Sequence, residues 1–138
     1  MFLSLGVMLN ATPDNDKAIT FDQLPHKAQV FITHYFSKED ISYAKKDVEI
    51  FDKDYDVYFV DGNKISFKKN GEWKDIECKN SEIPQGIIPN QIKGYVSTNY
   101  SGAHIIEIEQ DSKKYEIKLS NNKNLIFNKK GFFLHFDY

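Results

Sequence analysis

Leu24-Pro25-His26-Lys27-Ala28-Gln29-Val30-Phe31-Ile32-Thr33-His34-Tyr35-Phe36-Ser37 aligns with Ile88-Pro89-Asn90-Gln91-Ile92-Lys93-Gly94-Tyr95-Val96-Ser97-Thr98-Asn99-Tyr100-Ser101 at a constant offset of 64 residues. Pro and the closing Ser are identical, and Phe31, Ile32 and Phe36 meet Tyr95, Val96 and Tyr100. After a four-residue length change the match resumes at offset 60. Tyr55–Phe59 then meets Tyr115–Leu119, Ile65–Phe67 meets Leu125–Phe127, Gly71–Trp73 meets Gly131–Phe133, and Ile76-Glu77 meets Phe136-Asp137. Five segments in one order with a single length change indicate two copies of one unit.

Each copy reads as a helix followed by strands. A proline opens the helix, where its missing N–H costs nothing. Ala28, Phe31, Ile32, Tyr35 and Phe36 fall on one face at helical spacing, as do Ile92, Tyr95, Val96 and Tyr100. Period-2 alternation follows: Tyr55, Val57 and Phe59 point one way, Asp56, Tyr58 and Val60 the other. Asp61-Gly62 and Asn121-Asn122 are tight-hairpin signals, and Gly71 and Gly131 close the next hairpins.

One helix over four strands makes a thin core, so two units joined edge to edge are expected. The expected fold is α+β: a tandem repeat of one helix and a four-stranded antiparallel meander. It forms one sheet of about eight strands with both helices on one face. Repeat 1 covers about 19–78, the linker 79–87 and repeat 2 about 88–138. Phe31, Ile32, Phe59, Phe67, Val96, Ile117, Leu119 and Phe127 are the expected core.

Residues 1–18 read as a signal-peptide remnant and tail. Phe2–Leu9 is a short apolar run, then come Asn10, Ala11 and a charged stretch. It is too short to cross a bilayer and matches the apolar region of an export signal. With the basic start missing, the true start codon is expected a few codons upstream. The protein is therefore expected to be periplasmic or secreted, with no membrane insertion after signal removal.

The composition narrows the chemistry. The net charge is −2, and all 18 basic residues are lysines. Without arginine forks for phosphate and guanine edges, nucleic acid is not an expected partner. A single cysteine, Cys78, rules out an internal disulfide and any multi-cysteine metal site. Asp52, Asp54 and Asp56 have calcium-loop spacing, but Val57 and Asn63 stand where the loop needs Gly and Glu. His26 and His34 lie too far apart to share a metal, and His104 and His135 have no ligand-spaced Cys or Glu. No phosphate loop and no nucleophile elbow occur. Catalytic residues, metal ligands and cofactors are thus all expected to be absent.

The frame Ile-Thr-Phe-Asp-Gln-Leu-Pro…Tyr-Phe (Ile19 to Phe36), followed by Tyr-Asp-Val-x-Phe-x-Asp-Gly…Gly-x-Trp (Tyr55 to Trp73), resembles the PepSY-like family of β-lactamase-inhibitor-like proteins. The resemblance covers Ile19 to Tyr138. The second copy keeps Ile88–Val96 and Tyr115–Leu119 but has Phe133 in place of the Trp. It implies an exported, periplasmic protein of Bacteroidota bacteria with no assigned catalytic residues. β-Lactamase inhibitors of this fold present a concave sheet to an enzyme, and PepSY domains restrain secreted peptidases.

The expected function is therefore a non-catalytic protein-binding module, an inhibitor or regulator of an exported enzyme. Tyr58 and Trp73 are its expected anchors on the open sheet face. Two alternatives stand beside it. A binder of a small or peptide-like envelope ligand requires an apolar concavity between sheet and helices. An enzyme assembled from residues such as His104, Glu107 and Glu109 requires a deep pocket with shifted titrations.

Overall fold

The computed structural model describes residues 16–47 and 54–137. Phe2–Leu9, with its expected export signal, and Asp52 lie outside the described residues. In chain order the strands are β1 (Asp16–Ile19), β2 (Ile41–Asp47), β3 (Tyr55–Phe59), β4 (Lys64–Phe67), β5 (Trp73–Glu77), β6 (Ile105–Gln110), β7 (Lys114–Leu119), β8 (Asn124–Asn128) and β9 (Phe133–Asp137). Helix α1 (His26–Tyr35) precedes β2, and α2 (Asn90–Asn99) precedes β6. All nine strands form one antiparallel sheet in sequence order.

The sheet has nine strands where about eight were expected. β1 is the addition: Asp16–Ile19 pairs with Ala44–Asp47, and Lys45 Nζ reaches Asp16 Oδ2 at 2.6 Å. Four residues carry no alternation long enough to read from sequence, so only the partner strand defines them.

The helices start as their prolines dictate, each Pro standing one position before the first helical residue. The Pro25 and Pro89 carbonyls accept from the Gln29 and Lys93 N–H groups at 3.1 Å, so the ring removes only a donor that has no partner in a first turn. The turn at Gly71 (φ 90°) packs under the start of α1, and that at Gly131 (φ 89°) under the start of α2. A side chain at Gly71 would stand 2.9 Å from Lys27 Cβ, and one at Gly131 2.8 Å from Gln91 Cβ. Both the backbone conformation and the close helix approach demand glycine there.

Direct cross-strand partners line up across the sheet as Ala44, Val57, Ile65, Ile76, Ile108, Ile117 and Leu125. All are buried and, with Ile32 of α1 and Ile92 of α2, belong to one apolar cluster. Phe31 meets Phe67 edge-on at 5.9 Å, and Tyr95 meets Phe127 edge-on at 5.3 Å, so both helices cover this face. Of the expected core only Phe31 is half-buried; it packs at the rim against Tyr35, Phe36 and Trp73. Cys78 is fully buried beyond β5, and burial pushes its thiol up to about 11.

Phe67→Ala is expected to cost about 3–5 kcal/mol in urea unfolding, because the cavity would be sealed on all sides. Phe31→Ala is expected to cost clearly less, since its rim position lets solvent and neighbours fill the gap.

Candidate functional site

The open face is written by the same registers, one residue out of step with the core row. Lys45, Asp56, Ser66, Asp75, Glu109 and Glu116 are successive cross-strand partners from β2 to β7. The next row runs Tyr43, Tyr58, Lys64, Glu77, Glu107 and Lys118. Side chains two apart on a strand share a face, so these rows lie side by side.

At the N-terminal side the rows are neutralised. Asp56 accepts from Ser66 Oγ at 2.6 Å and lies 3.9 Å from Lys45 Nζ. Asp54 pairs with Lys74. The aspartates that resembled a calcium loop are thus tied into the sheet at Asp54 and Asp56. Tyr58 is half-buried and stacks on exposed Tyr43, ring centroids 4.6 Å apart at 12°. Lys64 Nζ stands 5.4 Å from the Tyr58 ring centre. The expected anchor Tyr58 therefore lies on the open face in a lysine–tyrosine–tyrosine ladder.

Trp73 does not share that face. The register shifts between Ser66 and Phe67, so Trp73 stands opposite Phe67 and turns to the helix side. It packs 6.4 Å from Phe31 and lines a groove of about 400 Å³ with Val30, His34 and Tyr35. Lys74 is the extra residue that produces this reversal.

At mid-sheet the carboxylates are concentrated. Ligand atoms of Asp75, Glu107 and Glu109 all lie within 4.8 Å of one another. Among the described residues, lysines come within 4 Å of Asp16, Asp54, Asp56, Glu72, Glu77 and Glu116, and of none of these three. Asp75 Oδ1 is buried without a hydrogen-bond partner. Burial foremost, then a hydrogen bond shared with the adjoining Glu107 carboxyl group, pushes Asp75 up from 3.8 to about 8. Glu109 is raised too, by partial burial and by Glu107 and Glu116. Beside the cluster runs a trough of about 580 Å³ lined by Asp54, Lys64, Lys74, Asp75, Lys114 and Glu116 among others.

Of the residues named for an enzyme, Glu107 and Glu109 come together, while His104 is exposed and lines a separate cavity of about 180 Å³. Asp75 was not among the sequence candidates. Its signal was present only as alternation in Asp75-Ile76-Glu77 and Glu107-Ile108-Glu109, and which carboxylates meet depends on register.

The arrangement is that of an open-faced antiparallel scaffold, helices behind and a charged, aromatic-flanked surface in front. The chain belongs to the PepSY-like family, described as putative β-lactamase-inhibitor-like, whose profile matches residues 53–135. Three solved structures are similar. The first, a "putative calcium-regulated periplasmic protein" from Bacteroides thetaiotaomicron, is 41% identical with a TM-score of 0.87 and covers 92% of this chain and 100% of its own. The second, a putative periplasmic protein of the DUF2874 family from Bacteroides vulgatus, is 40% identical with a TM-score of 0.84 over the same shares. The third, a putative periplasmic protein of unknown function from Bacteroides vulgatus, is 34% identical with a TM-score of 0.83, covering 89% of this chain and 99% of its own. No curated protein matches the chain. The periplasmic location of these relatives agrees with the one expected for this chain, and no described helix is long and apolar enough to cross a membrane.

The raised Asp75 carboxyl gives a signed pH dependence. The folded state holds a proton that the unfolded state releases near 3.8, so this contribution to stability is lost as pH rises toward about 8. With chelator present, the melting temperature is expected to fall across that window, and Asp75→Asn is expected to remove most of the fall. Circular-dichroism melts at a series of pH values check it; an equal fall in the variant places the titration elsewhere.

Proposed function

We propose that this protein is a non-catalytic binding module of the cell envelope that engages a protein partner through its open sheet face and holds calcium at the acidic cluster. The supporting observation is the convergence of Asp75, Glu107 and Glu109, with no lysine within 4 Å of them among the described residues, next to the stacked Tyr43–Tyr58 pair. Calcium enters from the B. thetaiotaomicron relative, described as calcium-regulated. The residues suit it: hard carboxylate oxygens at mutual distances that one cation can span. Three carboxylates leave further positions for water or a partner's oxygen, since calcium takes about six to eight ligands. The ion would supply charge neutralisation and oriented ligation, with no bond-making role.

The same reading takes the two helix-and-four-strand units as copies of one ancestor. Its support is that registers shift at Ile41/Tyr43 and Ile105/Glu107, and again at Ser66/Phe67 and Ile126/Phe127. Positive φ also recurs at Gly62 and Asn122, and at Gly71 and Gly131. A second reading, capture of a peptide-like envelope ligand, draws on the groove behind Trp73 and Phe31.

Calorimetric titration with CaCl₂ is expected to show one site in the range of extracellular modules, roughly 0.1–1 mM. Glu107→Gln is expected to weaken it at least several-fold. No heat with calcium would overturn the cation part. Tyr58→Ala is expected to lose capture of the partner from a native periplasmic extract while its melting temperature stays nearly unchanged. Equal capture by the variant would move the interface off this face.

A further inference from the structure

The two outer strands of the sheet differ. β1 carries exposed Lys17, and a lysine is a common guard against the addition of a further strand. β9, the other outer strand, reads Phe133-Leu134-His135-Phe136-Asp137, without lysine or proline. Phe132, Leu134 and Phe136 are 57%, 51% and 37% exposed, so large apolar residues gather at this edge. An exposed apolar edge strand is a template for pairing.

β9 lies on β8 in the register that β5 has on β4. Leu125 faces Phe136 as Ile65 faces Ile76, and Ile126 faces His135 as Ser66 faces Asp75. The register then shifts at the same place in both, at Ser66/Phe67 and at Ile126/Phe127. β5 takes a further strand, β6, on its far side. There the Cys78 N–H donates to the Ile106 carbonyl at 2.8 Å, and bonded pairs recur at every second residue of an antiparallel ladder, so Ile76 and Ile108 form a bonded pair. The Ile76 backbone N–H and C=O thus point away from β4, and those of Phe136 point away from β8 in the same way. The Phe136 carbonyl meets His135 Nδ1 at 2.9 Å. Ile76, with β6 beside it, is fully buried, whereas Phe136 is exposed.

We propose that β9 is the edge through which this protein dimerises, pairing antiparallel with β9 of a second copy about a two-fold axis at Phe136. The occupant is chosen by the strand's own residues. A register centred on Phe136 prolongs the core row beyond Leu125 and Phe136 into the second copy. It also sets His135 opposite Asp137 of the second copy, and Asp137 opposite His135 of the second copy. Both flanking pairs then join an imidazole to a carboxylate, where the β5–β6 ladder opposes carboxylates. β9 is therefore complementary to itself, as an isologous contact requires. The axis stands perpendicular to the sheet, so the helices of both copies share one side and their open faces the other. The inference depends on neither the calcium nor the partner reading above.

Sedimentation velocity on the full chain, in chelator and from roughly 1 µM to 1 mM, tests this and is expected to show a monomer–dimer equilibrium. His135→Asp sets carboxylates against each other at both flanking pairs, and is expected to weaken dimerisation about tenfold with the melting temperature of the monomer unchanged. His135→Asp/Asp137→His restores an imidazole opposite each carboxylate, and is expected to recover the dimer. A monomer at every concentration would overturn the proposal. So would a dimer indifferent to His135→Asp, or a double variant as weak as the single one. Growth beyond the dimer would overturn the two-fold closure in favour of head-to-tail pairing of unlike edges.

Discussion

The row Ala44–Val57–Ile65–Ile76–Ile108–Ile117–Leu125, each residue directly opposite the next, is the constraint on which the rest of this protein depends. It runs through seven strands without a polar interruption and is buried along its length. A slip of one residue at any ladder would turn a strand's apolar set to solvent and its charged set into the core. The row thus fixes the six registers from β2–β3 to β7–β8 at once, including that of the three-pair β5–β6 ladder, where burial of Ile76 against Ile108 overrides two carboxylate pairs.

The open face is a by-product of that choice. Once the isoleucines are committed to the helix side, Asp75 must face Glu109 and Glu77 must face Glu107. Stability selects the core face, and the cost is a concentration of like charge at mid-sheet. Lysines relieve it toward either side, through Lys74 at Asp54, Lys45 at Asp56 and Lys114 at Glu116. The centre keeps its carboxylates. The aromatic ladder of Tyr43, Tyr58 and Lys64 adds an amphipathic edge to this face.

Much of this was legible from residues alone. Pro25 and Pro89 marked the helix starts, Gly71 and Gly131 the hairpins, and the spacing of Ala28 and Ile32 the buried helix stripe. Tyr58 was legible as outward-facing because it alternates with Val57 and Phe59. Trp73 was not, because the extra residue at Lys74 reverses the alternation, and a bulge leaves no mark in an unaligned strand. Phe31 has the spacing of a core residue but sits at the rim, where a neighbouring element rather than periodicity decides burial.

The sequence by itself determined the local structure: which segments are helical or extended, where they turn and which of their faces is apolar. These follow from steric limits on φ at Pro and Gly and from the two side-chain periods, all of which act within a few residues. Only the tertiary structure decided which strands meet. Pairing brought Asp75 to Glu107 and Glu109 across 32 and 34 positions of sequence (107 − 75 and 109 − 75) and recruited Asp16–Ile19 as a ninth strand. Cross-strand contact is set by burial of a shared apolar row, a property of all the strands together that no single segment carries.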